Sequence, residues 1–349
     1  MTGGRGAAHV RHDAGMTTTR RAVLRLAASL AGSPLATSPA WLAALPAWRA
    51  FADTWPSRPI RIMVGTVAGG SPDIISRVLG EKLSERLSQS FVVENNSQGA
   101  GAVAQQTVAK SVPDGYTMIM LTAGYPPQML LRKPAFDPLD GLSFVGLVCG
   151  YPMVYAVRPD SPFMSFKGLL EHARAHPAKV TYTINALGSI YHVLTKWIEI
   201  EAGIELTPIP YRGTAAAVSD VLAGRVDIMV DAATSAFPRI QNGQLRVLAL
   251  SSPQRYPLMP DAPIIAETLP KVSFMSWLGF AMAAGTPRSI VDRLNHEVRL
   301  VLALPDVRER LVEGGNVATP SSPEEMRQRV AGDMTRWRQV IDTSGIKSE

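Results

Sequence analysis

The chain has 349 residues, of which 46% are apolar and 18% charged, with a formal net charge of +6. That length suits two domains better than one. The basic balance does not mark a nucleic-acid binder. Arg5, Arg11, Arg20, Arg21, Arg25 and Arg49 all precede Asp53, against only Asp13, so the remainder is nearly neutral and has no basic face to offer phosphates.

The first segment reads as an export leader. Met16 opens MTTTRRAVLRLAASLAGSPLATSPAWLAALPAWRAFA, with a basic start, a weakly apolar middle and Ala50-Phe51-Ala52 as a cleavage pattern. Thr19-Arg20-Arg21-Ala22-Val23-Leu24-Arg25 resembles a twin-arginine signal, with Val where that pattern favours Phe. Residues 1–52 are therefore expected to be removed, with Met16 as the true start. Arg25 and several Pro and Ser break the apolar stretch, which argues against an anchor. No later run reaches the ~20 apolar residues of a membrane span. The single cysteine, Cys149, excludes an intrachain disulfide, and its apolar surroundings read as core.

From there short apolar runs alternate with runs of helical period. Ile60–Val64 is a predicted strand, followed by a helix with Ile75, Leu79, Leu83 and Leu87 on one face. Phe91–Glu94 (strand), Ala102–Lys110 (helix) and Thr117–Leu121 (strand) follow. Phe144–Val148 and Met153–Val157 read as two neighbouring strands. A second series alternates helix 166–175, strand 180–183, helix 189–202, strand 206–209, helix 214–222, strand 226–230, helix 235–242 and strand 245–249. A late strand, Trp277–Ala283, precedes three helices opened by Pro287, Pro305 and Pro323, each at or near a first helical position. The pattern is α/β with largely parallel sheets in two series. It leaves open which series the tail joins.

One grammar recurs three times: strand, small-residue turn, hydroxyl residue, helix. It appears as Ala68-Gly69-Gly70-Ser71-Pro72-Asp73, as Ala186-Leu187-Gly188-Ser189-Ile190 and as Tyr211-Arg212-Gly213-Thr214. Such turns lie at the carboxyl ends of strands and present free N–H groups and a positive helix end. Together they predict an anion cleft between two lobes. Nucleotide readings fail. Gly65 to Gly70 has P-loop spacing, but Ser71 stands where lysine must be. Gly99-Ala100-Gly101-Ala102-Val103-Ala104 matches a dinucleotide fingerprint but lacks the acid that should end the next strand. Gly69-Gly70-Ser71-Pro72-Asp73 lacks the last glycine of a nucleophile elbow. His172 and His176 stand four apart without further ligands, so no metal is expected. Asp73 suits a helix start. Asp231 either contacts a ligand amine or hydroxyl or caps the next helix. Arg212 is open between a carboxylate clamp and a solvated turn residue. Tyr125 and Trp277 are candidate cleft walls or core.

The ordered set RPIRIMVGTVAGGSPDIISRVLGEKLSERL, FVVENNSQGAGAVAQQTVAKSVPDGYTMIML, TPIPYRGTAAAVSDVLAGRVDIMVDAATSAFPRIQNGQLRVLALSS and GFAMAAGTPRSIVDRLNHEVRLVLALPDVRERL resembles the Bug-type solute-binding proteins, TctC-like receptors of tripartite tricarboxylate transporters. The resemblance runs from about Trp55 to Lys347. It implies a two-lobe, type II-like periplasmic-binding-protein fold that closes on its ligand. Residues 53–156 would form the first part of lobe 1, 157–276 lobe 2, and 277–349 would return to lobe 1. It also implies a periplasmic monomer without cofactor or catalysis. Such a monomer binds a small organic carboxylate and hands it to membrane subunits. The implied ligand set is Ala68, Gly69, Gly70, Ser71 and Asp73 in the first loop, with Tyr125. In the second loop it is Ala186, Leu187, Gly188, Ser189 and His192. Tyr211, Arg212, Gly213 and Asp231 complete it. Leu187, Ile190 and Tyr191 make the second loop bulkier than the family pattern, which favours one carboxylate on an apolar or aromatic body. The alternatives are a sensor subunit presenting its ligand to a signalling system, or a hydrolase using Ser71 or Ser189 with His192.

Overall fold

The computed structural model describes residues 55–347 apart from Lys133 and Arg212. The expected leader and the arginine of the third turn therefore lie outside the described residues. In chain order the elements are β1 (Ile60–Val64), α1 (Ser71–Leu87), β2 (Phe91–Asn95), α2 (Ala102–Ala109), β3 (Thr117–Thr122), α3 (Tyr125–Leu131) and β4 (Leu142–Val157). Then come α4 (Phe166–Ala175), β5 (Thr181–Ile184), α5 (Ile190–Ala202), β6 (Thr207–Pro210), α6 (Thr214–Leu222), β7 (Met229–Ala232), α7 (Ala233–Gln241) and β8 (Arg246–Leu250). β9 (Met275–Ala283), α8 (Arg288–Ala303), α9 (Pro305–Glu313), β10 (Val317–Ala318) and α10 (Pro323–Ser344) complete the chain.

β1 pairs in parallel with β2 and β3, as βαβ crossovers require. Its Ile60, Ile62 and Val64 are fully buried, and α1 packs Ile75, Leu79, Leu83 and Leu87 from one face into the same core. β9 enters this sheet between β3 and β4, antiparallel to both. The tail therefore joins the first sheet. α8 packs on α1 and β4, while α10 lies against β4, α3 and α5. Buried Asp333 on α10 fixes that helix: the Trp277 indole N–H donates to it at 2.8 Å, and Arg329 and Arg336 each donate at 3.0 Å. Trp277 is thus a core residue, not a cleft wall.

The two strands expected at Phe144–Val148 and Met153–Val157 are one strand of 16 residues. Leu142–Pro152 pairs with β9, and Met153–Val157 pairs with β7 and β8. Pro152 has no N–H for a ladder, which made the segment read as broken. It sits where the strand passes from one sheet to the other. β5 and β6 pair in parallel and join β7 through the Tyr182–Ile228 bridge. The chain so forms two α/β bodies joined through β4, the two-lobe periplasmic-binding-protein architecture. Helix α3 escaped the periodicity because Pro126 and Pro127 punctuate its first turn. Cys149 is buried, and burial pushes its thiol well above the usual range.

Candidate functional site

A cleft of about 380 Å³ opens between the two bodies. Gly65, Thr66, Gly70 and Ser71 contribute from the loop after β1, and Ala100, Gly101 and Gln105 from the start of α2. Tyr151 and Met153 form its floor on β4. Asn185, Ser189, Ile190, Tyr191, Thr214, Asp231 and Ser235 face them from the second body. Helices α1, α2, α3, α5, α6 and α7 all begin on this lining. Each brings a positive dipole end, and unpaired N–H groups where no proline or preceding turn claims them. Among the described lining residues there is no Lys, Arg or His, and Asp231 is the single charged group. The described lining thus offers helix starts and hydroxyls, with Asp231 as its one carboxylate.

Five buried side-chain oxygens of these lining residues have no hydrogen-bond partner among the described residues: Thr66 Oγ1, Ser71 Oγ, Gln105 Oε1, Ser189 Oγ and Asp231 Oδ2. Orphaned polar atoms are rare in native interiors, and here five belong to residues that line one cleft. Ser71 opens α1 and Ser189 is the N-cap of α5, yet neither hydroxyl caps its own helix. Both hydroxyls are left without a partner among the described residues.

The loops carrying these serines are built alike. Gly69 has φ of +82° and Gly188 has φ of +73°. The Gly69 N–H donates to Asp73 Oδ2 at 2.8 Å, and the Gly188 N–H donates to His192 Nδ1 at 3.0 Å. In each loop a first-turn side chain four residues on holds the glycine. Burial pushes the Asp73 carboxyl up, but hydrogen bonds from Arg77, Gly69 and Asn95 outweigh it and hold it below the usual range. Burial, aided by the Lys196 charge, lowers His192 to about 4. Its imidazole is neutral with the proton on Nε2, because Nδ1 accepts.

The sequence-predicted residues therefore separate. Gly70, Ser71, Ser189 and Asp231 line the cleft. Tyr211 and Gly213 line an adjoining chamber of about 270 Å³. The Tyr211 hydroxyl donates to Asp220 at 2.6 Å. Asp73 and His192 turn back into their own loops. Gly188 is buried beneath Leu131, while Ala68, Gly69, Ala186 and Leu187 face solvent. Leu187, expected to crowd the cleft, is 39% exposed, and the bulk on the lining comes from Ile190 and Tyr191. Tyr125 is buried away from the lining, and its hydroxyl donates to the Pro138 carbonyl at 2.7 Å. His192 bonds to neither serine hydroxyl, so the Ser/His pair of the hydrolase alternative is not assembled. His172 stacks on His176 at 4.3 Å on an exposed face, and among the described residues no metal-ligating group of three or more forms.

The sequence reading missed Thr66, Gln105 and Asn185. Gln105 carried a signal: it is a polar residue at a buried position of α2. Its amide donates to Gln128 Oε1 at 3.1 Å, and Gln128 donates to the Ala100 carbonyl at 3.0 Å. The glycines of the apparent dinucleotide fingerprint have a different purpose. A Cβ on Gly101 would lie 2.7 Å from the Gly65 carbonyl oxygen. The two backbones touch and form one wall of the cleft.

A pH test follows from His192. Its folded value lies below the ordinary 6.5, so the unfolded chain binds the extra proton between those values. The stabilisation is fully present above about 6.5 and is lost as pH falls toward about 4. His192→Asn keeps an acceptor for the Gly188 N–H without the titration. Melting curves across that window should show a loss of several degrees in the parent and a flatter profile in the variant. Equal acid slopes would remove His192 as the cause.

Three comparisons fit this geometry. The family model described as tripartite tricarboxylate transporter family receptor, TctC, matches residues 75–346. A curated protein from Pseudomonas sp. strain P51, described as a UPF0065 protein in the tcbD-tcbE intergenic region, is 36% identical over 298 residues. The match covers 83% of this chain and 87% of that protein. Protein BugT of Bordetella pertussis is 31% identical, with 85% and 92% covered. Among solved structures, R. palustris Rpa4515 with adipate superposes with a TM-score of 0.76 at 32% identity, covering 84% of this chain and 100% of that one. Among the described residues no helix is long and apolar enough to cross a membrane. With two lobes meeting at a cleft of helix N-termini, and with nearly the whole described chain matched, this chain belongs to the TctC family of tripartite tricarboxylate transporter receptors.

Proposed function

We propose that this protein is an exported receptor that binds a small organic carboxylate between its lobes and delivers it to the membrane subunits of a tripartite transporter. The gathering of orphaned hydroxyls and helix N-termini on a cleft whose described lining has no Lys, Arg or His carries this reading. A carboxylate oxygen accepts what Thr66, Ser71 and Ser189 have to donate, and it complements the dipoles of α1 and α5. The adipate bound by the R. palustris relative supports a carboxylic acid here too. In this reading residues 53–156 and 277–349 form one lobe and 157–276 the other. The leader directs the chain to the periplasm, it acts as a monomer without cofactor, and it is not an enzyme.

Thermal-shift screening against organic acids tests this. A true ligand at a hundred times its Kd should stabilise by about 2.7 kcal/mol. Ser71→Ala and Ser189→Ala should each weaken binding by roughly five- to tenfold, about 1–1.5 kcal/mol for a lost charge-assisted hydrogen bond. The unliganded variants should melt no lower than the parent, since each removes an unpartnered hydroxyl. Unchanged affinity in both variants would place the anion elsewhere.

A further inference from the structure

Asp231 is the penultimate residue of β7, where two cavities meet. The main cleft and the adjoining chamber share Asn185, Tyr191, Thr214 and Asp231 in their walls. Oδ1 is occupied: the Ala232 N–H donates to it at 2.7 Å and the Tyr191 hydroxyl at 3.4 Å. Oδ2 is buried without a partner, and the residue as a whole is 7% exposed. The polar groups around the carboxyl are the Tyr191 and Tyr151 hydroxyls and, from α7, Ser235 and the Arg239 guanidinium. Arg239 directs its N–H to the Ser235 carbonyl at 2.7 Å. Among the described residues no Lys, Arg or His donates to Oδ2. A buried carboxylate oxygen, left unmatched on a residue that lines two cavities, asks for a donor from the ligand.

We propose that Asp231 selects the ligand: Oδ2 accepts from an ammonium or hydroxyl group carried by a monocarboxylate whose own carboxylate lies at the helix N-termini of Ser71 and Ser189. This rests on the receptor reading above and narrows it. A second carboxylate in that place would face Oδ2 as a like charge, which a buried site disfavours. Tyr191 adds to the selection. It lines both cavities with its hydroxyl 3.4 Å from Oδ1, so its bulk limits what can reach the carboxyl.

The test is calorimetric titration with four series of acids of matched chain length: ω-amino, ω-hydroxy, unsubstituted and α,ω-dicarboxylic. An amino or hydroxy acid should bind about tenfold tighter than its unsubstituted counterpart. Asp231→Asn should erase that advantage and leave the unsubstituted acid within about threefold of its parent affinity. The parent series decides the matter even if Asp231→Asn folds poorly. Equal binding with and without the donor, or tightest binding of a dicarboxylate, overturns the proposal and leaves the receptor reading intact. Failure of all four series to bind removes both.

Discussion

Replacing Gly101 by alanine is expected to destabilise the protein by about 2–6 kcal/mol and to abolish ligand retention. Two separate effects add. Gly101 has φ of +90°, and holding an L-residue in such a region costs about 1–3 kcal/mol. The new methyl would also sit 2.7 Å from the Gly65 carbonyl oxygen and 3.1 Å from the Gly65 Cα. Those are backbone atoms, so no rotamer change relieves them, and overpacking of this kind costs about 1–3 kcal/mol more. Relief requires the loop after β1 to part from α2. That movement would displace Thr66 and Gln105, which carry two of the orphaned oxygens of the cleft. Ala100→Gly is the matched control. Ala100 has φ of +55° and is exposed, so glycine there relieves strain and should change stability by less than about 1 kcal/mol. Urea unfolding followed by a binding assay distinguishes the two. A Gly101→Ala protein with parental stability would show that the contact between the loops yields easily.

Periodicity made most elements legible, because buried faces repeat at 3.6 or 2 residues whatever surrounds them. It could not show that Gly150-Tyr151-Pro152 continues a strand, since that continuity is imposed by β9 on one side and by β7 and β8 on the other. The candidate site was legible as loops rather than as side chains. The turn grammar located Ser71 and Ser189, which do line the cleft. It could not tell that Asp73 and His192 point backward, because each is claimed by a glycine N–H four residues earlier. A sequence shows that a polar residue is near a turn but not which donor reaches it first. Thr66 and Gln105 were missed for a related reason: only the packing of the loop after β1 against α2 leaves their oxygens unpartnered.

The same loop design leads to a test of closure. Gly188 lies in the second-body loop, and a Cβ there would fall 2.5 Å from Leu131 Cδ1 at the end of α3 on the opposite body. Gly188→Ala should therefore weaken ligand binding by roughly tenfold or more, since about 1.4 kcal/mol of lost closure energy is one decade in Kd. Some of the loss comes from the loop itself, where φ of +73° suits glycine. The remainder comes from the clash, and the clash involves the tip of a flexible side chain. The two parts separate in a double-mutant cycle with Leu131→Ala. The double variant should recover several-fold of the affinity lost by Gly188→Ala, because removing the Leu131 methyls clears the path of the new Cβ. Leu131→Ala alone should have a smaller effect than Gly188→Ala. Small-angle scattering with and without ligand would report closure directly. The parent should contract on binding, Gly188→Ala should contract less, and the double variant should contract again. If the two substitutions combine additively, the bodies do not meet at this point in the bound state, and Gly188 acts only by shaping its loop.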